Sequence, residues 1–253
     1  MNREATDLAG VRHQAYDALG STNAEALARA RAGERGPLWI SARHQEAGRG
    51  RRGNAWASAP GNLYASLLLS EPSPQAVAPQ VSFVAALALH DAVADCAPQI
   101  GPLLSVKWPN DLLIGGAKVA GILIEGENQT SNRIGFSVII GFGVNCADHP
   151  ADTPYPATDL SHAGSSVTPE QMLRALAAAM HRRLAQWQRG QGFASVRADW
   201  LKRAAGLGRD IRVRLPDREF SGNFEGLDDA GHLLVRGPAG LTTVSAGEVF
   251  GLG

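Results

Sequence analysis

The sequence predicts an α+β fold: a mixed sheet with helices, followed by a small β-barrel at the C-terminus. Three observations predict it. Strand-like runs alternate with long helical runs as far as about residue 205. From Gly208 the pattern changes to short strands parted by Pro216-Asp217, Asp228-Asp229-Ala230-Gly231 and Pro238-Ala239-Gly240. The length, 253 residues, suits one large domain plus a small one, divided as 1–205 and 206–253.

The elements follow in order. Thr22 and Glu25 stand at the spacing of a capping box, and Gly33 closes the helix they open. Residues 38–42 read as a strand entering a glycine/arginine loop, and 63–69 as a strand leaving it. Pro72, Pro74 and Pro79 punctuate the way to 81–97, an Ala- and Leu-rich run apolar on most sides, as a buried helix is. A short strand over 103–108 is stopped by Pro109. A hairpin then turns at Gly115-Gly116 and returns through 119–125. In the strand over 136–144, Gly141 and Gly143 recur at period two and leave one face bare to the approach of a ligand or another backbone. Thr168-Pro169-Glu170-Gln171 joins a capping box to proline at the first helical position and opens a helix running to Arg189. Another helix covers 193–205, and four or five strands complete the chain.

The loop between the first two strands alternates Gly48, Gly50 and Gly53 with Arg49, Arg51 and Arg52. Three glycines in six residues lose too much backbone entropy for helix or core strand, yet let the backbone wrap closely around a ligand. The arginines offer planar forks for phosphate or carboxylate. A solvated basic loop would share this composition.

Composition narrows the choice. Apolar residues are 44% and charged residues 19% of the chain, as in soluble globular proteins. With 24 basic and 24 acidic residues there is no overall basic field, so the arginine cluster calls for a local partner. The N-terminus lacks an apolar export segment, and a cytoplasmic location is expected. Cys96 and Cys146 show no metal-ligand spacing, and the seven histidines form no HxxxH or HxH pair, so no structural metal is expected. Of the cations 21 are arginine; Lys107 and Lys118 lie close together, as if those positions need a compact ammonium.

Taken in order, Gly20-Ser21-Thr22-Asn23, Gln45-x-x-Gly48-Arg49-Gly50-Arg51-Arg52-Gly53, Lys107-Trp108-Pro109-Asn110-Asp111, Lys118 and Gly141-Phe142-Gly143-Val144-Asn145 resemble the biotin protein ligase family. The resemblance spans the whole chain and includes the terminal Gly247-Glu248-Val249. It implies a mixed-sheet catalytic domain of the biotin/lipoate ligase type over 1–205, with an SH3-like β-barrel over 206–253. It also implies biotin and ATP as substrates, Mg accompanying ATP, and a biotin carboxyl carrier protein of acetyl-CoA carboxylase or another biotin-dependent carboxylase as acceptor. Neither DNA nor membrane is an expected partner, and the chain is expected to be a monomer or homodimer.

The family's roles carry over residue by residue. Lys118, Arg51 and Asp111 would serve catalysis, Lys118 bridging the biotin carboxyl and the α-phosphate and Arg51 facing the phosphates. Biotin would meet Ser21, Thr22, Asn23, Gln45, Gly48, Arg49, Gly50, Arg51, Lys118 and Gly121. ATP would meet Arg49, Arg51, Arg52, Trp56, Asn110, Lys118 and Asn145. The chemistry suits these types: a carboxylate attacking a phosphate must have both charges neutralised, while a neutral ureido head is served by hydroxyls and amides. Other readings stand beside these. Thr22 suits a helix cap, Trp108 suits core packing, and Asn145 suits a turn. Asp111 suits support of Lys118 or a metal, or turn chemistry after Pro109. Residues 157–166 suit a second loop over adenine.

Two departures from the family pattern stand out. Asn54 replaces an arginine that many bacterial members carry. About twenty residues precede Ser21, too few for the helix-turn-helix domain of members that double as repressors, so an enzyme alone is expected. A lipoate or octanoate ligase or transferase is the nearest alternative, opposed by the Gly/Arg loop and the terminal barrel. A nucleic-acid-binding module is opposed by zero net charge and 6% aromatics.

Overall fold

The computed structural model describes residues 6–128 and 135–251. Its large sheet has eight strands: β1 (Thr6–Leu8), β2 (Val11–Leu19), β3 (Leu38–Gln45), β4 (Leu63–Ser70), β5 (Leu104–Lys107), β6 (Asp111–Ile114), β7 (Ala117–Asn128) and β8 (Phe136–Val144). They lie in the order β1-β2-β3-β4-β8-β7-β6-β5. Only β2 and β3 pair in parallel among the described strands, and helix α1 (Thr22–Arg31) makes that crossover. Strands β1 and β2 were not foreseen. Residues along β2 are mostly half-buried, without a clean alternation to betray a strand.

Alternation across the strands separates the two faces. Trp39, Leu67, Leu69, Val138, Ile140 and Phe142 belong to the main core with α2 (Val81–Cys96) and α3 (Pro169–Trp187). On the other face Leu38, Ile40, Leu68 and Ile139 pack beneath Ala26, Leu27 and Ala30 of α1. Along β8 that second face continues as Gly141 and Gly143. Helix α1 therefore covers part of the face, with Gly141 beneath Asn23 of its first turn and Gly143 beneath Trp56.

Helix α2 is apolar on nearly every side because the sheet and α3 bury it, as its sequence predicts. Thr168 and Gln171 form the predicted capping box at α3, which ends at Trp187 because Gln188 and Arg189 have φ of 49° and 57°. Helix α4 (Phe193–Leu201) stops short of residue 205, and the chain instead pairs with the edge of β5 through Val106 N–H to Arg203 O and Ala205 N–H to Val106 O.

The C-terminal strands are β9 (Asp210–Arg214), β10 (Glu219–Leu227), β11 (Leu233–Gly237), β12 (Gly240–Val244) and β13 (Glu248–Phe250). They form an antiparallel sheet in the order β12-β11-β10-β9-β13. The predicted strands are present, but the closed barrel is not: among the described residues β12 and β13 are the two edges. The three-residue β13 pairs with β9, and β12 pairs only with β11, so the sheet is not closed among the described residues.

Candidate active site

The site starts where α1 begins. Ser21 has extended backbone, and its hydroxyl accepts from Ala24 N–H at 3.4 Å, so Ser21 is the N-cap. This corrects the capping box drawn from Thr22 and Glu25. Thr22 is the first helical residue, and tertiary partners claim its polar groups. Its N–H donates to Gln45 Oε1 at 2.9 Å and its hydroxyl lies 3.2 Å from the same oxygen. Glu25 accepts instead from Arg29 at 2.8 Å and from Tyr16 at 3.1 Å. Asn23 reaches over Gly141, where an added Cβ would lie 2.2 Å from Asn23 Oδ1. The bare strand face thus receives the chain's own side chains. Beneath them Ser66 Oγ lies 2.6 Å from Asn23 Oδ1 and 2.8 Å from Thr22 Oγ1.

The Gly/Arg loop folds back on itself. Gly50 N–H donates to Asn54 O at 2.7 Å, Trp56 N–H donates to Gly48 O at 2.9 Å, and Arg49 and Ala55 form an isolated bridge. The turn passes through φ of 56° at Arg52 and 78° at Gly53. Its return carries Trp56 onto the sheet over Gly121 and Gly143, which face each other across β7 and β8. The three arginines then diverge. Arg49 Nη2 lies 3.1 Å from Glu125, and Arg51 Nη1 lies 3.4 Å from Asn110 Oδ1 and 3.5 Å from Gly247 O. Arg52 Nη1 lies 3.4 Å from Glu248. Burial lowers the pKa of Arg51 and the neighbouring Arg52 charge adds to this, against the pull of Asp111 and Glu248.

The β6–β7 hairpin supplies the last part. Lys118 Nζ is 2.7 Å from Asp111 Oδ1 and lies over the rings of Trp56 at 5.5 Å and Tyr155 at 5.1 Å. Its backbone is pinned on both sides, its N–H donating to Pro156 O and its carbonyl accepting from Thr158 N–H. Lys107 stands over Phe250 at 5.6 Å; burial lowers its pKa and Lys118 pushes the same way, against Asp111 and Glu248.

A cavity of about 360 Å³ is lined by these groups together. It includes Ser21, Thr22, Asn23, Gln45, Arg49, Gly50, Arg51, Trp56, Asn110, Asp111, Lys118 and Gly121 from the sequence reading. Three residues of that reading lie off it. Gly48 underlies the loop, where a Cβ would meet Trp56 O at 2.6 Å; Arg52 turns to Glu248; and Asn145 is buried, donating to Thr158 O at 3.0 Å. Residues 157–166 are tied to Lys118 and Asn145, and the neighbouring Pro154 and Tyr155 line the cavity instead. Trp108 is buried core that also shows the cavity an edge.

Lys107, Tyr155, Arg214, Glu248 and Phe250 line the cavity without having been assigned to it from sequence. Lys107 had been singled out as an unusual lysine and Glu248 as part of a resembling motif; Tyr155 carried no signal. Ser66 had one, a polar residue in an otherwise apolar strand.

Similarity to known proteins places this chain in the class of ligases. Residues 22–145 match the Biotin/lipoate A/B protein ligase family and residues 206–251 match the Biotin protein ligase C terminal domain. The chain is 45% identical over 238 residues to the biotin-(acetyl-CoA-carboxylase) ligase of Paracoccus denitrificans, covering 91% of this chain and 96% of that protein. It belongs to the biotin protein ligase family. Among solved structures, the Aquifex aeolicus biotin protein ligase in complex with biotin and ATP shares the fold, with a TM-score of 0.76 at 22% identity over 94% of this chain and 97% of that one. The Leishmania major biotin protein ligase in complex with biotinyl-5-AMP gives 0.64 at 25% identity over 92% and 98%.

Proposed function

We propose that this chain biotinylates a carrier-protein lysine using ATP, with biotinyl-5′-AMP as intermediate. One observation carries the reading: a single cavity joins the uncharged hydrogen-bonding cluster Ser21, Thr22 and Gln45 to Arg51 and the Lys118–Asp111 pair. The first group suits a neutral urea head. The second suits the meeting of a carboxylate with a phosphate.

In the first step a biotin carboxylate oxygen attacks the α-phosphorus of ATP, a P–O bond forms, and the bond to the β-phosphate oxygen breaks to release pyrophosphate. Lys118, paired with Asp111 at 2.7 Å, would neutralise both reacting anions, a role supported by its place in the cavity. Arg51, held through Asn110 and Gly247 O, adds a second cation on the phosphate side. Magnesium would come with the triphosphate as its counter-ion and neutralise oxygens that the arginines leave uncovered. In the second step the neutral amine of the acceptor lysine attacks the acyl carbon, AMP leaves, and the amine loses a proton. The Gly/Arg loop and Tyr155 restrict access of water to the mixed anhydride.

We further assign residues 1–205 to the catalytic domain and 206–253 to the C-terminal domain, whose β13 contributes Glu248 and Phe250 to the cavity. The acceptor is the biotin carboxyl carrier of acetyl-CoA carboxylase, a reading supported by the name of the Paracoccus relative. The test is biotin-dependent exchange of pyrophosphate into ATP, then transfer of biotin to an isolated carrier domain. Exchange with lipoate or octanoate in place of biotin would overturn the assignment.

A further inference from the structure

Ser66 is fully buried in β4 and pairs across the sheet with Gly141. Its hydroxyl has one proton and two oxygens within reach, Asn23 Oδ1 at 2.6 Å and Thr22 Oγ1 at 2.8 Å. The choice between them is made further along. The Glu125 carboxylate, ion-paired with Arg49 at 3.1 Å, only accepts. It takes a hydrogen of Asn23 Nδ2 at 2.8 Å, and the Leu123 carbonyl lies 3.4 Å from the same nitrogen. The Asn23 amide therefore turns its oxygen to Ser66. That oxygen also only accepts, so Ser66 gives it the proton and faces Thr22 with a lone pair. The Thr22 proton then points inward, to Ser66 at 2.8 Å or to Gln45 Oε1 at 3.2 Å. Thr22 lines the cavity, and in either arrangement it shows the cavity a lone pair.

We propose that Glu125, Asn23 and Ser66 form a directional hydrogen-bond relay that makes Thr22 an acceptor toward the ligand, so that the group it meets must bring a hydrogen-bond donor. On the biotin reading above, on which this rests, that group is a ureido N–H. Glu125 and Ser66 are positioning residues, acting through Asn23 and Thr22. Because Glu125 also holds Arg49, the same carboxylate links the head of the ligand to the Gly/Arg loop.

The test compares wild type, Ser66→Ala and Glu125→Gln in biotin-dependent pyrophosphate exchange, with biotin and with biotin methylated on a ureido nitrogen. Ser66→Ala is expected to raise KM for biotin about ten-fold, far more than it changes kcat or KM for ATP, since a lost or misdirected hydrogen bond acts mainly on ligand binding. Glu125→Gln can donate as well as accept, so every neighbour keeps a partner while the direction rests only on the long contact to the Leu123 carbonyl at 3.4 Å. Its preference for biotin over the methylated analogue should narrow about ten-fold. An unchanged preference in Glu125→Gln, or a defect confined to kcat, overturns the relay, and Glu125→Gln alone decides if Ser66→Ala does not fold. A wild-type protein that exchanges pyrophosphate without regard to biotin overturns the biotin reading itself, and the ureido donor with it.

Discussion

A Cβ added to Gly143 would lie 2.4 Å from Cε2 of Trp56, so the indole occupies the volume of a side chain that the strand lacks. Its Nε1 is buried there without a hydrogen-bond partner in the protein. Gly143→Ala is therefore expected to lift Trp56 from the sheet. Trp39, Trp108, Trp187 and Trp200 remain buried, so a red shift of intrinsic fluorescence would report Trp56. Displacing this wall by about 1 Å should lower biotin-dependent exchange on the order of 10²-fold. Wild-type fluorescence and exchange in the variant would show that the glycine is dispensable.

The bare face of β8 and the turning Gly/Arg loop were both legible in the sequence, because missing side chains and positive φ act locally. What fills the bare face was not, since Asn23 and Trp56 arrive from distant segments. The error at Thr22 has the same origin. Its spacing to Glu25 matches a cap, but Gln45 and Ser66 claim its N–H and hydroxyl, and the cap falls to Ser21. Tyr155, Glu248 and Phe250 reach the cavity through the packing of a loop and a second sheet against it, which periodicity does not encode. The strands of the C-terminal sheet were legible one by one. Closure was not, since it depends on pairing between the two ends of the sheet.

Arg51 joins the loop to Asn110 and to the C-terminal Gly247 carbonyl. Arg51→Gly is expected to form some adenylate but release it faster, having lost a charge-assisted contact worth roughly 1.5–3 kcal/mol. Dissociation of labelled biotinyl-adenylate measures this directly. Retention equal to wild type would reduce Arg51 to a tether between domains.

Away from the site, the carboxylate of Asp91 is held at about 2, below its ordinary 3.8. Burial alone would raise it, but the hydrogen bonds from Arg183, the charges of Arg183 and Arg203 and the His90 ring 3.7 Å away together outweigh burial. Arg183 grips it at 2.7 and 3.0 Å. A carboxyl with a depressed folded pKa stabilises the fold fully above its unfolded pKa, and the benefit fades as pH falls through the folded value. The contribution should be about 2 kcal/mol at neutral pH and vanish between roughly pH 4 and 2. Urea unfolding of wild type and Asp91→Asn should differ most at pH 7 and converge toward pH 2. A constant difference across that range would contradict the pairing.

Lys118 offers the sharpest test of the catalytic assignment. Its side chain is 16% exposed, 2.7 Å from Asp111 and over the rings of Trp56 and Tyr155, whereas the side chain of Lys202 is 72% exposed beside Asp199. Arginine serves at most other cationic positions of this chain, so a lysine whose only task is to pair with a carboxylate should accept the exchange. A reacting site should not. The longer, planar guanidinium can keep Asp111, but its charge would be spread and set forward, into the volume where the biotin carboxylate and the α-phosphate must meet. A displacement of about 1 Å in that geometry lowers the rate on the order of 10²-fold. Lys118→Arg is therefore expected to fold normally and bind biotin, yet lose most biotin-dependent pyrophosphate exchange, while Lys202→Arg behaves as wild type. Biotin binding with full exchange in Lys118→Arg would return this lysine to a structural role, its ammonium serving only Asp111 and the two rings.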